Sequence, residues 1–259
     1  MTRALVTGAG HRLGRAMAVY LAGRGYDVAV HYASSSKGAD ETVAEVMAKG
    51  QRAVALQSDL LDESATEALF AQAVDVLGGP ITCLVNNASI FEYDDITSAT
   101  RHSWDRHMES NLRAPFVLTQ AMAAQGLDPL TDSRGEPQAA GVIVNMVDQR
   151  VRKLTPEFMT YTIAKMGLWA LTQTSARALT PAIRVNAIGP GPTLQGGRQS
   201  AEHFAKQRAA TVLQRGSNPE DIVGALGYFL DAPAVTGQLL CVDGGQHLAW
   251  ETPDVVGVE

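Results

Sequence analysis

Tyr161 and Lys165 stand four residues apart in a stretch with helical spacing, so they share one face of a helix. A free tyrosine, with a pKa of about 10, exchanges protons poorly at neutral pH. A neighbouring ammonium favours the phenolate and pulls that value down. Such a pair can give a proton as a hydride arrives at a substrate, and take one in the reverse direction. Thirteen positions ahead of Tyr161 lies Asp148, inside NMVDQR, Asn145 to Arg150. Two readings of this carboxylate stay open on spacing. It is a proton-relay residue beside Tyr161, or a loop acid paired with Arg150, Arg152 or Lys153 outside the site.

A second cluster of chemistry sits at the other end of the chain. LVTGAGHRLGRAMAVYL follows a strand-like run and opens a helix-like one. Gly8, Gly10 and Gly14 let the chain turn tightly and let a phosphate approach the backbone, and the helix N-terminus behind them offers free N–H groups. His11, Arg12 and Leu13 lie in the same turn. The next strand-like run ends Tyr32-Ala33-Ser34-Ser35-Ser36-Lys37, without the acid that binds the ribose hydroxyls of NAD. The serines and Lys37 can instead donate to a 2′-phosphate, with Arg12 and His11 in reach, which favours NADP. The same serines can cap the following helix, and the two roles are compatible. Asp59, beside Leu60, either binds an adenine amino group or caps a helix. Asn86, Asn87, Ala88 and Ser89 end a further strand at the edge where open α/β sheets bind ligands.

Elements to carry these residues are legible as an alternation. Strand-like runs cover 4–7, 27–32, 53–57, 82–87, 141–147, 183–188 and 238–243, mostly apolar throughout, as strands covered on both faces should be. Helix-like segments cover 15–24, 39–49, 64–77, 104–124, 161–179 and 219–230. The pattern predicts an α/β fold, a parallel sheet with helices on both faces. Residues 126–141 read as a polar surface loop. With no long linker, 1–259 is expected to be a single domain, 1–125 mainly binding dinucleotide and 141–259 carrying catalysis and substrate.

The 259 residues suffice for one large core, and 46% apolar against 19% charged residues argues against disorder. A net charge of −6 speaks against a nucleic-acid or anionic-membrane surface. No run approaches a membrane span, the N-terminus goes straight into a strand, and Cys83 and Cys241 read as buried thiols. A cytoplasmic protein is expected. Six scattered histidines make no metal site. Trp104, Met108 and Leu112 at helical spacing read as core or subunit packing. Residues 198–215 form either a lid hinged at Gly196 and Gly197 or an ordinary surface helix. The tail from His247 exceeds what the last strand needs, and is expected to pack on a neighbouring subunit.

Over its whole length the chain resembles the short-chain dehydrogenase/reductase family, through TGAGHRLG, NNAS, Asn111 in SNLRAPF, YTIAK and RVNAIGPG. The resemblance implies a single Rossmann domain with seven parallel strands, a homotetramer, and hydride transfer from NAD(P)H to a small molecule. It makes Tyr161 the proton donor and Lys165 the residue that binds the nicotinamide ribose. Asn111 holds a relay water, and Pro190 and Gly191 pass the carboxamide. Two departures stand out. Arg12 replaces a glycine of the family motif, and Asp148 replaces its serine. Both, with HY after the second strand and NNASIF after the fourth, resemble the pteridine reductase branch, which includes dihydromonapterin and dihydrofolate reductases. There Phe91 would stack a pterin against the nicotinamide, and Ser89 and Arg12 would touch substrate or cofactor. That branch often has a basic residue after HY, where this chain has Ala33 and Ser34, so NADP would lean on Arg12, His11 and Lys37. The expected function is NADPH-dependent reduction of a 7,8-dihydropterin, with carbonyl reduction of a 3-oxoacyl thioester or sugar, or a non-catalytic dinucleotide sensor, as alternatives.

Overall fold

The computed structural model describes residues 2–197 and 199–251. In chain order they form β1 (Thr2–Val6), α1 (Arg12–Gly23), β2 (Tyr26–Tyr32), α2 (Ser36–Met47), β3 (Ala53–Gln57), α3 (Glu63–Leu77) and β4 (Cys83–Asn86). Next come α4 (Arg101–Met108), a π-helical turn (Glu109–Arg113), α5 (Ala114–Ala124), and a two-residue-arm hairpin, β5 (Leu130–Thr131) with β6 (Pro137–Gln138). The second half holds β7 (Gly141–Met146), α6 (Met159–Ala178), β8 (Ile183–Pro190), α7 (Ala201–Ala209), α8 (Pro219–Asp231) and β9 (Leu239–Val242). Seven strands pair in parallel in the order β3-β2-β1-β4-β7-β8-β9. The strand order reverses between β1 and β4, which opens a crevice at their carboxyl ends.

Period-two alternation along the strands divides the core between the two faces. In β1, Ala4 and Val6 pack with Met17, Leu21, Ile222 and Phe229 from α1 and α8. Leu5 points the other way, among Leu69, Leu84, Leu118 and Ile143 against α3 and α5. Each fully buried side chain of this size contributes about 1.5–3 kcal/mol, so the sheet is held from both sides.

The strands fall within two residues of the expected runs. The helix expected over 104–124 is helical throughout, as α4, a π-helical turn and α5, with Asn111 buried in the turn. Two readings need correction. The loop over 126–141 carries the small exposed hairpin. Cys83 is buried, but Cys241 is partly exposed on the edge strand β9. Trp104 is half-exposed and Leu112 packs beside Val147 and Leu168, in line with packing roles. Thr252–Glu259, most of the tail expected on a neighbouring subunit, and Arg198, the first residue of the lid segment, lie outside the described residues.

Candidate active site

Tyr161 occupies the first turn of α6, and Lys165 follows one turn later on the same face; both are almost fully buried. The Tyr161 hydroxyl donates to Asp148 Oδ2 at 2.8 Å. Asp148 Oδ1 accepts the Arg150 backbone N–H at 2.8 Å, capping the short turn Gln149–Val151. The loop-acid reading therefore fails. The Arg150 guanidinium lies 4.9 Å from the centre of the Phe158 ring and donates to Thr155, Arg152 stacks on Trp169, and Lys153 reaches the Ala249 carbonyl. Lys165 Nζ donates to the Met146 carbonyl at 2.7 Å and lies 5.6 Å from the centre of the Tyr161 ring.

The electrostatics reverse one expectation. Burial raises the Asp148 carboxyl, against hydrogen bonds from the Arg150 backbone and Tyr161. Tyr161 is pushed well above the ordinary phenol value, first by burial and then by the charge of Asp148; a hydrogen bond with Ser89 pulls weakly the other way. Lys165 is lowered to about 8 by burial. Lys165 stands 5.6 Å from the centre of the Tyr161 ring, and its charge does not outweigh the burial of the phenol. The tyrosine and the aspartate hold protons more tightly than they would in water, which keeps the donor loaded.

Asn111 is fully buried, and its side chain clamps one backbone residue, with Oδ1 accepting from Ile90 N–H and Nδ2 donating to the Ile90 carbonyl, both at 2.8 Å. A water in a relay would have to meet Asn111 through its main chain. Phe91 sits next to this clamp, half-exposed at 46%. Its ring stacks on Phe158 at 4.3 Å and 9°, and meets Tyr161 edge-on at 4.7 Å. One face expected for a ligand is thus already covered.

A cavity of ≈ 340 Å³ surrounds these groups, lined by Asp148, Tyr161, Lys165, Ser89, Phe91 and the Pro190–Gly191 turn, among others. It shares Arg12, Leu13, Asn87 and Ser89 with a cleft of ≈ 650 Å³. That cleft is lined by the glycine loop with His11, by Tyr32, Ser34 and Ser35, by Asp59 and Leu60, and by Ala88. Lys37 is exposed and stands outside that lining. Ser35 occupies the N-cap of α2 without a side-chain bond to it, so its hydroxyl is not a helix cap. Nor is Asp59, since Asp62 caps α3 by accepting from Ala65 N–H.

The larger cleft fits a dinucleotide. Gly8 has φ +63°, and a Cβ on Gly14 would meet the Gly8 carbonyl oxygen at 2.2 Å, so the loop lies flat on the helix start. Asn87 Nδ2 donates to the Thr7 and Gly8 carbonyls, and Thr7 Oγ1 receives the Asn87 and Ala88 N–H groups. The acid nearest the second strand, Asp27, is engaged by Arg52 at the far end. No carboxylate from β2 faces the 2′-phosphate position, and hydroxyl donors do. Arg12, at φ +54°, donates to the Gln195 and Leu194 carbonyls, tying the glycine loop to the segment before α7. Gly196 and Gln199 before α7, with Phe204 and Gln207 on α7, line the smaller cavity, and Arg208 binds the Pro192, Gly216 and Ser217 carbonyls.

Sequence reasoning overlooked His31 and Phe158. His31 Nδ1 accepts the Gly8 N–H at 3.0 Å while Nε2 meets the Ser58 carbonyl, and burial lowers its pKa so that it stays neutral for both bonds. A histidine inside the apolar run DVAVHY was the available signal. Phe158 has a left-handed backbone, and no sequence feature announced that.

A family model described as enoyl-(acyl carrier protein) reductase matches residues 8–247. The 3-oxoacyl-[acyl-carrier-protein] reductase FabG of Staphylococcus aureus is 31% identical over 95% of this chain and 98% of its own. The crystal structure of FolM alternative dihydrofolate reductase 1 from Brucella suis, in complex with NADP, is 40% identical, covers 98% of both chains and superposes with a TM-score of 0.89. A blue fluorescent protein from a metagenomic library, in complex with NADPH, is 32% identical, covers 95% of this chain and 97% of its own, with a TM-score of 0.84.

Proposed function

This chain belongs to the short-chain dehydrogenase/reductase family, as an NADP-dependent oxidoreductase, and from that premise we propose that it reduces the C=N bond of a 7,8-dihydropterin. The observation that carries the reading is the 2.8 Å bond from Tyr161 to a buried Asp148. Similarity to a dihydrofolate reductase at 40% identity supports it.

The glycine loop, Ser34, Ser35, Asp59, Leu60, Asn87, Pro190 and Gly191 would hold NADPH, which when bound would supply the hydride for the imine carbon. The chain's own task is the proton on the imine nitrogen. A ketone oxygen becoming an alkoxide is served by a hydroxyl donor, whereas an imine nitrogen must end with a proton bound to it. Tyr161 gives that proton, and Asp148, whose carboxyl binds protons more readily than in water, passes one back to the phenol. Lys165 at Met146 fixes the ribose side of the site. Ser89 and Arg12 flank the ring, and a flat substrate packs against the Phe91 ring. We read the enzyme as a cytoplasmic homotetramer, following its family resemblance.

Carbonyl reduction is the second reading, favoured by the 31% identity to a 3-oxoacyl reductase. NADPH oxidation followed with dihydrobiopterin or dihydrofolate, and separately with an acetoacetyl thioester, decides between them. Turnover of the pterin is expected; activity on the thioester alone would overturn the proposal.

A further inference from the structure

The catalytic helix lacks its own cap. Phe158 fills the N-cap of α6 at φ 55°, ψ 48°, and has no side-chain acceptor for the free N–H groups of the first turn. Tyr161 stands in that turn. A distant residue takes over. Asp94, 1% exposed in the loop after β4, accepts Thr160 N–H on Oδ1 at 3.1 Å, the Thr160 hydroxyl on Oδ2, and Met159 N–H on its carbonyl at 3.3 Å.

The chain of bonds continues and its proton order is determined. Because the Thr160 hydroxyl donates to Asp94, it accepts from His107 Nδ1 at 2.7 Å. His107 Nε2 in turn accepts the Glu92 N–H at 3.2 Å. The imidazole is therefore the neutral Nδ1–H tautomer. Burial is the largest influence favouring the neutral form, Arg106 and Lys165 add to it, and Asp94 and Glu92 oppose it. The His107 ring meets Tyr161 edge-on at 6.0 Å, as Phe91 does at 4.7 Å.

The bonds fall on alternate residues of the segment after β4. Ile90 is clamped by Asn111, Glu92 by His107, and Asp94 clamps Thr160. The residues between, Phe91 and Tyr93, both meet the Phe158 ring. Phe91 and Tyr93 are exposed while 90, 92 and 94 are more covered, so successive residues face opposite sides. Fastening 90, 92 and 94 therefore fixes where 91 and 93 project.

We propose that Asp94, Thr160 and His107 are positioning residues that lock the Tyr161 phenol and the Phe91 shelf into one unit. The proposal rests on Tyr161 being the proton donor. Without the Thr160 hydroxyl, the phenol and the ring shelf lose their common register, and a misplacement of about 1 Å costs up to about 100-fold in rate.

Two measurements test it. In the wild-type protein, ¹⁵N chemical shifts of His107 should report the neutral Nδ1–H tautomer, still neutral at the ordinary histidine pKa of 6.5. The Nε2–H tautomer, or titration at that value, overturns the device even if no variant folds. Thr160→Val should then lower kcat at least about 10-fold and raise the KM for pterin, with NADPH affinity held, and Thr160→Ser should restore both. Wild-type kcat in Thr160→Val, or loss of kcat only in proportion to NADPH binding and melting temperature, rejects it. Tyr161→Phe run alongside separates the two ideas, since turnover surviving there refutes the donor and not the device.

Discussion

Asp148 holds two donors at once, the Tyr161 hydroxyl and the Arg150 backbone, and a serine in its place could do neither job as a carboxylate does. Asp148→Ser is expected to cut dihydropterin turnover by about 100-fold or more, the usual size of a lost acid–base contribution, while NADPH binding measured by fluorescence titration stays close to wild type. Unchanged turnover would remove Asp148 from the chemistry. The pH profile carries a second expectation. Lys165 keeps its charge below about 8 and loses it above, whereas Tyr161 remains protonated there. The ammonium donates more strongly to the Met146 carbonyl and to a ribose hydroxyl than the neutral amine would, so kcat/KM should decline as pH rises through about 8. A profile flat up to about pH 10, the range of an ordinary lysine, would show that burial does not govern this residue. At this scale the amino-acid sequence carries the residue types and their spacing. It could not give the sign of the Tyr161 shift, because burial set that sign, and burial depends on what packs around the ring.

The glycine loop and the π-helical turn are the two elements that convert strand ends into a site. Gly14 has no room for a side chain, since a Cβ would strike the Gly8 carbonyl oxygen and Asn87. Gly14→Ala should therefore distort the loop, raising the KM for NADPH by about 10-fold or more, which corresponds to about 1.4 kcal/mol, with a smaller effect on kcat at saturating cofactor. An unaltered KM would mean that the loop yields without cost. The segment expected as a helix over 104–124 is helical throughout, but the π-helical turn inside it was not expected. Apolar spacing carries straight through α4 and α5, so periodicity reads one helix. The bonds from the Asn111 side chain to Ile90 accompany an extra residue in the turn, and those bonds join segments twenty-one positions apart. The same limit applies to the Asp62 cap, a role that a local reading left as one of two options for Asp59. Both acids precede the helix, and only backbone geometry selects the one at the N-cap.

At the scale of the molecule, Trp104, Phe116, Ile163 and Met166 remain part-exposed on α4, α5 and α6. If the homotetramer forms, such apolar side chains are available to an interface, and light scattering at micromolar concentration should give a four-chain mass. Trp104→Arg combined with Met166→Glu should lower that mass, and a monomer in the wild type would refute the assembly. The sequence by itself determined the α/β alternation, the seven strands and the chemistry-bearing residues Gly8, Gly14, Asp148, Tyr161 and Lys165, because strand and helix periods, turn glycines and i,i+4 spacing are local properties of the chain. Only the tertiary structure decided that Asp148 faces Tyr161 rather than the basic residues after it, that Arg12 reaches the segment before α7, and that Asp94 caps a helix far along the chain. Those contacts join residues from 13 to 183 positions apart, and their partners are chosen by how the strands and helices pack, not by anything adjacent in the chain.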